Sequence, residues 1–416
     1  MVCLSGYSGT MTHSTSPRHD LVMATTMTRP RRILLLTDSY RPTVNGVVTS
    51  IDELRAGLVE AGHEVRVLTV GPTRRTTFDG QVYRLPSLDA SHIYPHARLG
   101  RPVDSALLAD IVAWRPEVLH SHTEFVAFWW ARRLAHRLGV AHVHTYHTLY
   151  ADYTHYFFPH ERSGRALCAS FARRTLNRTD TVIAPTAKIQ RLLRGYGVHV
   201  PISVVPTGVD LTRFSPGPAP AELRASLGLD PEVPVVLSLG RLAAEKNITE
   251  SIDLLAGIKD QPWQLVVAGD GPLAGPLRRQ VERLGIAERV RFVGAIEPAR
   301  VPDFYRLADV FVSASRSETQ GLTFLEALAS GVPVVCRDDD SLDGVVVDGR
   351  NGRRYRTREE FTAGMSWLLR DADLRRRWGQ GAVDTAAGFG RHAFVDAVLA
   401  TYDRARGAVG TARWAA

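Results

Sequence analysis

The sequence predicts an α/β protein made of two open parallel sheets in succession, with a ligand site in the cleft between them. Three observations carry that expectation. Short apolar runs that suit doubly buried strands alternate with segments of helical periodicity. The alternation runs twice, interrupted where Pro206, Pro216, Pro218, Pro220 and Pro231 gather around Gly217. The 416 residues exceed one ordinary domain and suffice for two.

Residues 1–30 are rich in Ser, Thr and Met, show no periodicity and read as an unstructured tail. They lack the apolar stretch of about 7–15 residues that marks a secretory signal; Met23 and Met27 offer alternative starts. Order begins at Ile33-Leu34-Leu35-Leu36, which runs into the polar Thr37-Asp38-Ser39. A helix follows over 47–60, with Ile51, Leu54 and Leu58 on one face, then a strand over 65–70. Val118-Leu119, a helix through 129–138, a strand over 142–144 and another over 181–184 continue the first series, which closes near 202–205. The second series has strands at 235–239, 264–268, 290–293, 310–313 and 332–336, and a last helix over 392–406. The expected divisions are a tail (1–30), a first Rossmann-like domain (31–206), a linker (207–220), a second such domain (221–390) and a closing helix (391–416). Strands alternating with helices imply parallel pairing with helices on both faces. In such sheets ligands bind beyond the carboxyl ends of the strands, so chemistry is expected in the loops that follow them.

The formal net charge of +8 fits nucleic acid, an anionic membrane surface or a phosphorylated substrate. Neither a zinc finger, an RNP motif nor a clustered basic helix supports nucleic acid. Only Lys188, Lys246 and Lys259 are lysines among 51 basic residues, a bias that suits a GC-rich genome and draws attention to each lysine. Cys3, Cys168 and Cys336 are too few and too scattered for a disulfide framework or a zinc cluster, and suit a reducing cytoplasm.

Four post-strand segments carry chemistry. In Ser315–Gly331, Glu318 and Glu326 stand eight apart around Gly321, at the opening of a helix. Two carboxylates there can grip sugar hydroxyls, and a helix start suits a phosphate; the alternative is a capping carboxylate with a solvated helix glutamate. In Gly240–Asn247, Arg241 and Lys246 could clamp a diphosphate and neutralise a leaving group, or be solvated loop cations. Asn45-Gly46 opens the first helix and offers a small backbone site without the Lys-Ser/Thr ending of a P-loop. The fourth segment holds His142, His144, His147, Tyr150, Asp152 and Tyr153, with His120 and His122 elsewhere. Its histidines end a strand and no HExxH pattern completes a metal set, so a polar aromatic pocket is expected and a metal is not. Gly269-Asp270-Gly271-Pro272 fails as a dinucleotide fingerprint, and Asp338-Asp339-Asp340 reads as a polar loop rather than a metal-binding Asp-x-Asp.

Taken together and in this order, these segments resemble the retaining glycosyltransferases of family 4 over nearly the whole chain. That resemblance implies the GT-B fold, two Rossmann-like domains facing a cleft with the C-terminal helix crossing back. It further implies that Arg241 and Lys246 bind the diphosphate of a nucleotide-sugar, aided by backbone at Gly46, Gly321, Leu322 and Thr323. Glu318 would hold the transferred sugar, Glu326 the ribose, and His147 would touch the donor sugar near the reacting carbon. No cofactor or metal is implied. The segments 45–51, 146–153, 317–323 and 339–344 resemble, more narrowly, diacylglycerol glucosyltransferases. UDP-glucose or a similar donor and a lipid hydroxyl are therefore expected. Tyr150, Asp152, Tyr153 and Glu124 are the acceptor-side candidates, and peripheral contact with an anionic membrane on its cytoplasmic face is expected. Arg162, Arg165, Arg173, Arg174 and Arg178, interleaved with Leu167, Phe171 and Leu176, could make that contact. The alternative acceptor is a soluble natural product or aminocyclitol, as in related actinobacterial enzymes of antibiotic biosynthesis.

Overall fold

The computed structural model describes residues 29–89, 98–100, 105–150 and 161–414. Of the expected tail, residues 1–28 lie outside this set, as do Asp152 and Tyr153.

The first lobe runs β1 (Arg32–Thr37), α1 (Gly46–Glu60), β2 (Glu64–Gly71), β3 (Thr77–Phe78), β4 (Val82–Asp89), β5 (Arg98–Gly100), α2 (Ser105–Trp114) and β6 (Val118–Ser121). It continues with α3 (Val126–Leu138), β7 (Ala141–Thr145), α4 (Glu161–Leu176), β8 (Thr181–Ala184), α5 (Ala187–Gly195) and β9 (Ile202–Val204). The sheet order is β3-β4-β2-β1-β6-β7-β8-β9, with β5 also on β4. Pairing is parallel except for β3 and β5 against β4. Ile33, Leu34, Leu35 and Leu36 are all fully buried, because helices cover both faces of β1. That is why β1 reads as a continuous apolar run rather than an alternation.

The second lobe runs α6 (Ala221–Ser226), β10 (Val235–Leu239), α7 (Ile248–Ala256), β11 (Gln264–Ala268), α8 (Ala274–Arg283), β12 (Val290–Gly294), α9 (Val301–Leu307) and β13 (Val310–Ser313). Then come α10 (Leu322–Ala329), β14 (Val334–Arg337), β15 (Gly352–Tyr355), α11 (Arg358–Arg370), α12 (Ala372–Ala386) and α13 (Arg391–Trp414). All its strands are parallel, in the order β12-β11-β10-β13-β14-β15. Chain order turns back between β10 and β13, which puts the switch point, and with it the ligand crevice, at their carboxyl ends.

The last helix belongs by packing to the first lobe. Phe394, Val395, Val398 and Tyr402 of α13 share a core with Ile51, Leu54 and Leu58 of α1. Gly57 permits the close approach: a Cβ there would lie 2.4 Å from Val395 Cγ2. Arg391, at the head of α13, donates to Glu53 and Glu60 of α1 and to Asp210 at 2.8, 2.7 and 2.6 Å. Tyr402 is hydrogen bonded to His120 Nδ1 on β6 at 2.8 Å.

Candidate functional site

The β10–α7 loop leaves the centre of the second sheet and carries Arg241 and Lys246. Its path depends on close backbone packing. A Cβ on Gly269 would lie 1.9 Å from the Gly240 carbonyl oxygen, and one on Gly271 would lie 2.5 Å from that of Leu242. Leu242 N–H also donates to the Asp270 carbonyl at 3.0 Å. The Gly269-Asp270-Gly271 turn therefore seats the loop that bears Arg241. A glycine pair directly after a strand was the available signal for such a close approach.

Next to it, β13 delivers the loop that carries Glu318. Lys246 Nζ lies 2.7 Å from Glu318 Oε1, and the glutamate side chain is 8% exposed. The structure thus brings together two residues that lie 72 positions apart. The ammonium supplies the charge that a buried carboxylate requires. Gly321 follows at φ +80°, in the left-handed region, and opens α10 without a side-chain cap. That backbone geometry favours glycine and leaves the first-turn N–H groups at Leu322 and Thr323 without a capping side chain to compete for a phosphate. One and a half turns further on, Glu326 accepts a hydrogen bond from the Tyr305 hydroxyl at 2.8 Å. Burial pushes the Glu326 carboxyl up to about 7, against the opposing pull of Tyr305 and of Arg213.

The first lobe contributes the opposite wall. Asn45 caps α1 by accepting from Val48 N–H at 2.9 Å, and Gly46 follows it. A Cβ on Gly46 would come within 4.0 Å of Leu322 Cδ1. The starts of α1 and α10 therefore face each other across the cleft, and both present backbone N–H groups and positive dipole ends.

A second hub braces this centre from behind. Glu250 on α7 accepts from Arg337 at the end of β14 and from Arg316 in the Glu318 loop. It also accepts from Asn247 and from the Tyr355 hydroxyl. Burial alone would raise its carboxyl, but the hydrogen bonds from Arg316, Arg337 and Asn247 hold it below the usual range. Sequence reasoning missed this residue, because its four partners come from four different segments.

Two family models tile the two lobes. "Glycosyltransferase Family 4" matches residues 44–213 and "Glycosyl transferases group 1" matches residues 221–384. The alpha-monoglucosyldiacylglycerol synthase of Streptococcus pneumoniae is 35% identical over 331 residues, covering 78% of this chain and 75% of the relative. The chain is a family 4 glycosyltransferase. The alpha-monoglucosyldiacylglycerol synthase of Acholeplasma laidlawii is 29% identical over 82% of this glycosyltransferase and 89% of itself. D-inositol 3-phosphate glycosyltransferase 2 of Catenulispora acidiphila is 30% identical over 90% of this chain and 95% of itself. Among solved structures, sucrose-phosphate synthase from Thermosynechococcus elongatus superposes with a TM-score of 0.70 at 21% identity, covering 91% of this chain and all of that one. Anabaena HepE in complex with UDP gives 0.70 at 19% identity, covering 90% of this chain and all of that one. The glycosyltransferase therefore has the GT-B fold.

On the first-lobe side, His120, His122, His142 and His144 are buried, and half-buried His147 joins them. His147 Nε2 is 3.0 Å from His122 Nδ1, and the two rings stack. Desolvation by the surrounding protein, with His144 close by, holds the His147 imidazole down to about 3, so the ring is neutral. Glu124 is buried. One of its oxygens accepts from the Tyr150 hydroxyl, and the other lies 3.3 Å from His144 Nε2. Tyr150 and Glu124, both expected on the acceptor side, are thus bonded to each other. Asp38, at the end of β1, accepts from Thr123 and from the Ala127 N–H and so ties β1 to the start of α3.

Proposed function

We propose that this glycosyltransferase moves glucose, or a similar hexose, from its UDP-sugar to a hydroxyl of diacylglycerol, with retention at the anomeric carbon. The observation that carries the reading is the Lys246–Glu318 pair in the loop that leads into α10, whose start lies against that of α1. The cleft there offers cations and N–H groups to a diphosphate and a carboxylate to the sugar beside it. Negative charge grows on the departing diphosphate as the glycosidic bond breaks. Arg241, Lys246 and the backbone at Gly46, Gly321, Leu322 and Thr323 stabilise that charge before any reorganisation is needed. Glu318 orients the sugar hydroxyls, Glu326 takes the ribose, and neutral His147 meets the sugar as a hydrogen-bond partner. Same-face attack, with the leaving phosphate oxygen accepting the acceptor's proton, accounts for retention without a carboxylate nucleophile.

A lipid acceptor is supported by the pneumococcal and Acholeplasma relatives, both alpha-monoglucosyldiacylglycerol synthases, and by an apolar patch on α3 and α4. Phe125, Trp129, Leu167 and Phe171 are each between 40% and 56% exposed. Phe125 stacks on Phe171, and Arg133 lies over Trp129. Aromatic side chains mixed with arginine suit the headgroup level of an anionic bilayer. Leu176 corrects the expected stripe, because it is fully buried in the core beneath α4. Phe125 and Trp129, from another helix, complete the patch instead. No helix among the described residues is long and apolar enough to cross a membrane, so contact would be peripheral. The D-inositol 3-phosphate glycosyltransferase relative supports a second reading, transfer to a soluble cyclitol.

The test is a donor panel (UDP-glucose, UDP-galactose, UDP-GlcNAc, GDP-mannose) run with diacylglycerol vesicles and with inositol phosphate. UDP-glucose with diacylglycerol should turn over fastest, and Glu318→Gln and Lys246→Ala should each lose about 100-fold or more in kcat while keeping the native circular dichroism. Wild-type rates in both variants would end the site assignment, and turnover confined to inositol phosphate would replace the acceptor.

A further inference from the structure

The Glu318 loop is held from the opposite lobe. Lys188, near the start of α5, donates from Nζ to the Glu318 carbonyl at 3.3 Å. Thr186, which caps α5, donates its hydroxyl to the Thr319 carbonyl at 2.9 Å. The Gln320 side chain pairs with both backbone groups of Thr207, at 2.7 Å each. Three consecutive residues of one loop thus bond to groups that leave β8 and β9 of the first sheet.

Lys188 does more than touch the loop. Its ammonium also forks onto both oxygens of Asp339, at 2.7 and 2.8 Å, so three acceptors meet its three donors. Asp339 lies after β14 and fixes its own turn by accepting from Ser341 N–H at 2.7 Å. The two side chains are 25% and 11% exposed, whereas the neighbouring Arg191–Asp340 pair is 59% and 69% exposed. Solvent screens the exposed pair, which contributes little; the shielded one is the effective tie.

We propose that Lys188 is a positioning residue that couples contact between the lobes to the placement of Glu318. It acts through its ion pair with Asp339 and its hydrogen bond to the Glu318 carbonyl. The inference rests on the donor-site reading of Glu318 given above. One cation joins the backbone of Glu318 to the loop that follows β14, while the Glu318 carboxylate is tied to Lys246. When the lobes separate, Lys188 leaves with α5 and the Glu318 carbonyl loses its partner. The sugar-binding carboxylate is therefore fully set only when the first lobe is in place. Lobe contact and reaction geometry become one event, and an error of about 1 Å at such a residue is costly in rate.

The experiment compares Lys188→Met, Asp339→Asn, the double variant and Lys188→Arg, with UDP-glucose as donor and dioleoylglycerol vesicles as acceptor. It reads kcat, KM, the Kd for UDP by calorimetry and the melting temperature. Each single change should lower kcat by about 10- to 100-fold while the Kd for UDP moves less than about threefold. The double variant should be no worse than the poorer single, because the two side chains act as one unit, and Lys188→Arg should recover part of the loss. Wild-type kcat in Lys188→Met, or multiplied losses in the double variant, would overturn the proposal. Should Lys188→Met fail to fold, Asp339→Asn decides alone by the same kcat criterion. Glu318→Gln is the reference: if it keeps full turnover, the donor-site reading has failed; if it is inactive while Lys188→Met is unimpaired, only the coupling has failed.

Discussion

Glu326 shows what the site asks of a single side chain. Its carboxyl is raised to about 7 by burial, so it is largely protonated below that value and ionised above it. A ribose hydroxyl donates best to the ionised form, because charge-assisted hydrogen bonds are the stronger ones. Donor affinity should therefore rise with pH through neutrality. The KM for UDP-glucose is expected to fall by up to about tenfold between about pH 6 and pH 8, the change in ionised fraction of such a group. Both phosphates of UDP-glucose are fully ionised throughout this range, and the informative quantity is the difference from Glu326→Gln, whose profile should be the flatter one. Parallel profiles in the two proteins would remove Glu326 from the ribose. At this scale local spacing was readable: Glu318, Gly321 and Glu326 stand around the opening of a helix, and α10 does begin at Leu322. The sequence was blind where partners come from afar. Lys188 stood out as one of three lysines, but nothing in the chain pointed to Asp339, 151 positions away.

Elements built from uninterrupted aliphatic runs were legible for a physical reason. Thr181–Ala184, Val235–Leu239, Gln264–Ala268 and Val310–Ser313 are central strands covered on both faces, and their boundaries coincide with the apolar runs. Strand β4 escaped notice because it alternates and includes Pro86, which tells against a strand in sequence. Helix α11 carried a readable signal that was passed over, the capping box formed by Thr357 and Glu360. The most informative miss is the β11–α8 turn, where glycine permits a close backbone contact. Gly269 has φ +134° and would place a Cβ 1.9 Å from the Gly240 carbonyl oxygen. Gly269→Ala must then distort the loop that carries Arg241. We expect it to destabilise the protein by about 3 kcal/mol or more, measured by urea denaturation, and to weaken UDP binding in calorimetry. Unchanged stability with full UDP affinity would show that the two loops can move apart freely.

For the whole molecule, the question is where the excess positive charge acts. Arg391 spends its charge on three carboxylates, Glu53, Glu60 and Asp210, and so pins α13 to the first lobe. Arg316 and Arg337 are committed to Glu250. Arginines of this kind contribute to architecture, whereas on the surface of α3 and α4 cations lie beside several exposed aromatics. Two terms would act there together on a bilayer. Apolar burial contributes about 25 cal/mol per Å², and each arginine near an anionic surface adds about 1 kcal/mol, screened by salt. The two can be separated in a flotation assay with vesicles containing phosphatidylglycerol. Replacing Phe125 and Trp129 by Ser should reduce flotation at all salt concentrations, because the apolar term is not screened. Arg133→Gln with Arg173→Gln should reduce it at low salt and matter less at high salt. Turnover of a water-soluble, short-chain diacylglycerol should stay near wild type in the arginine variant, whereas Phe125 packs edge-on against Tyr150, so the aromatic variant is judged by flotation. Equal flotation of all three proteins would leave the patch without a membrane role and shift weight to a soluble acceptor.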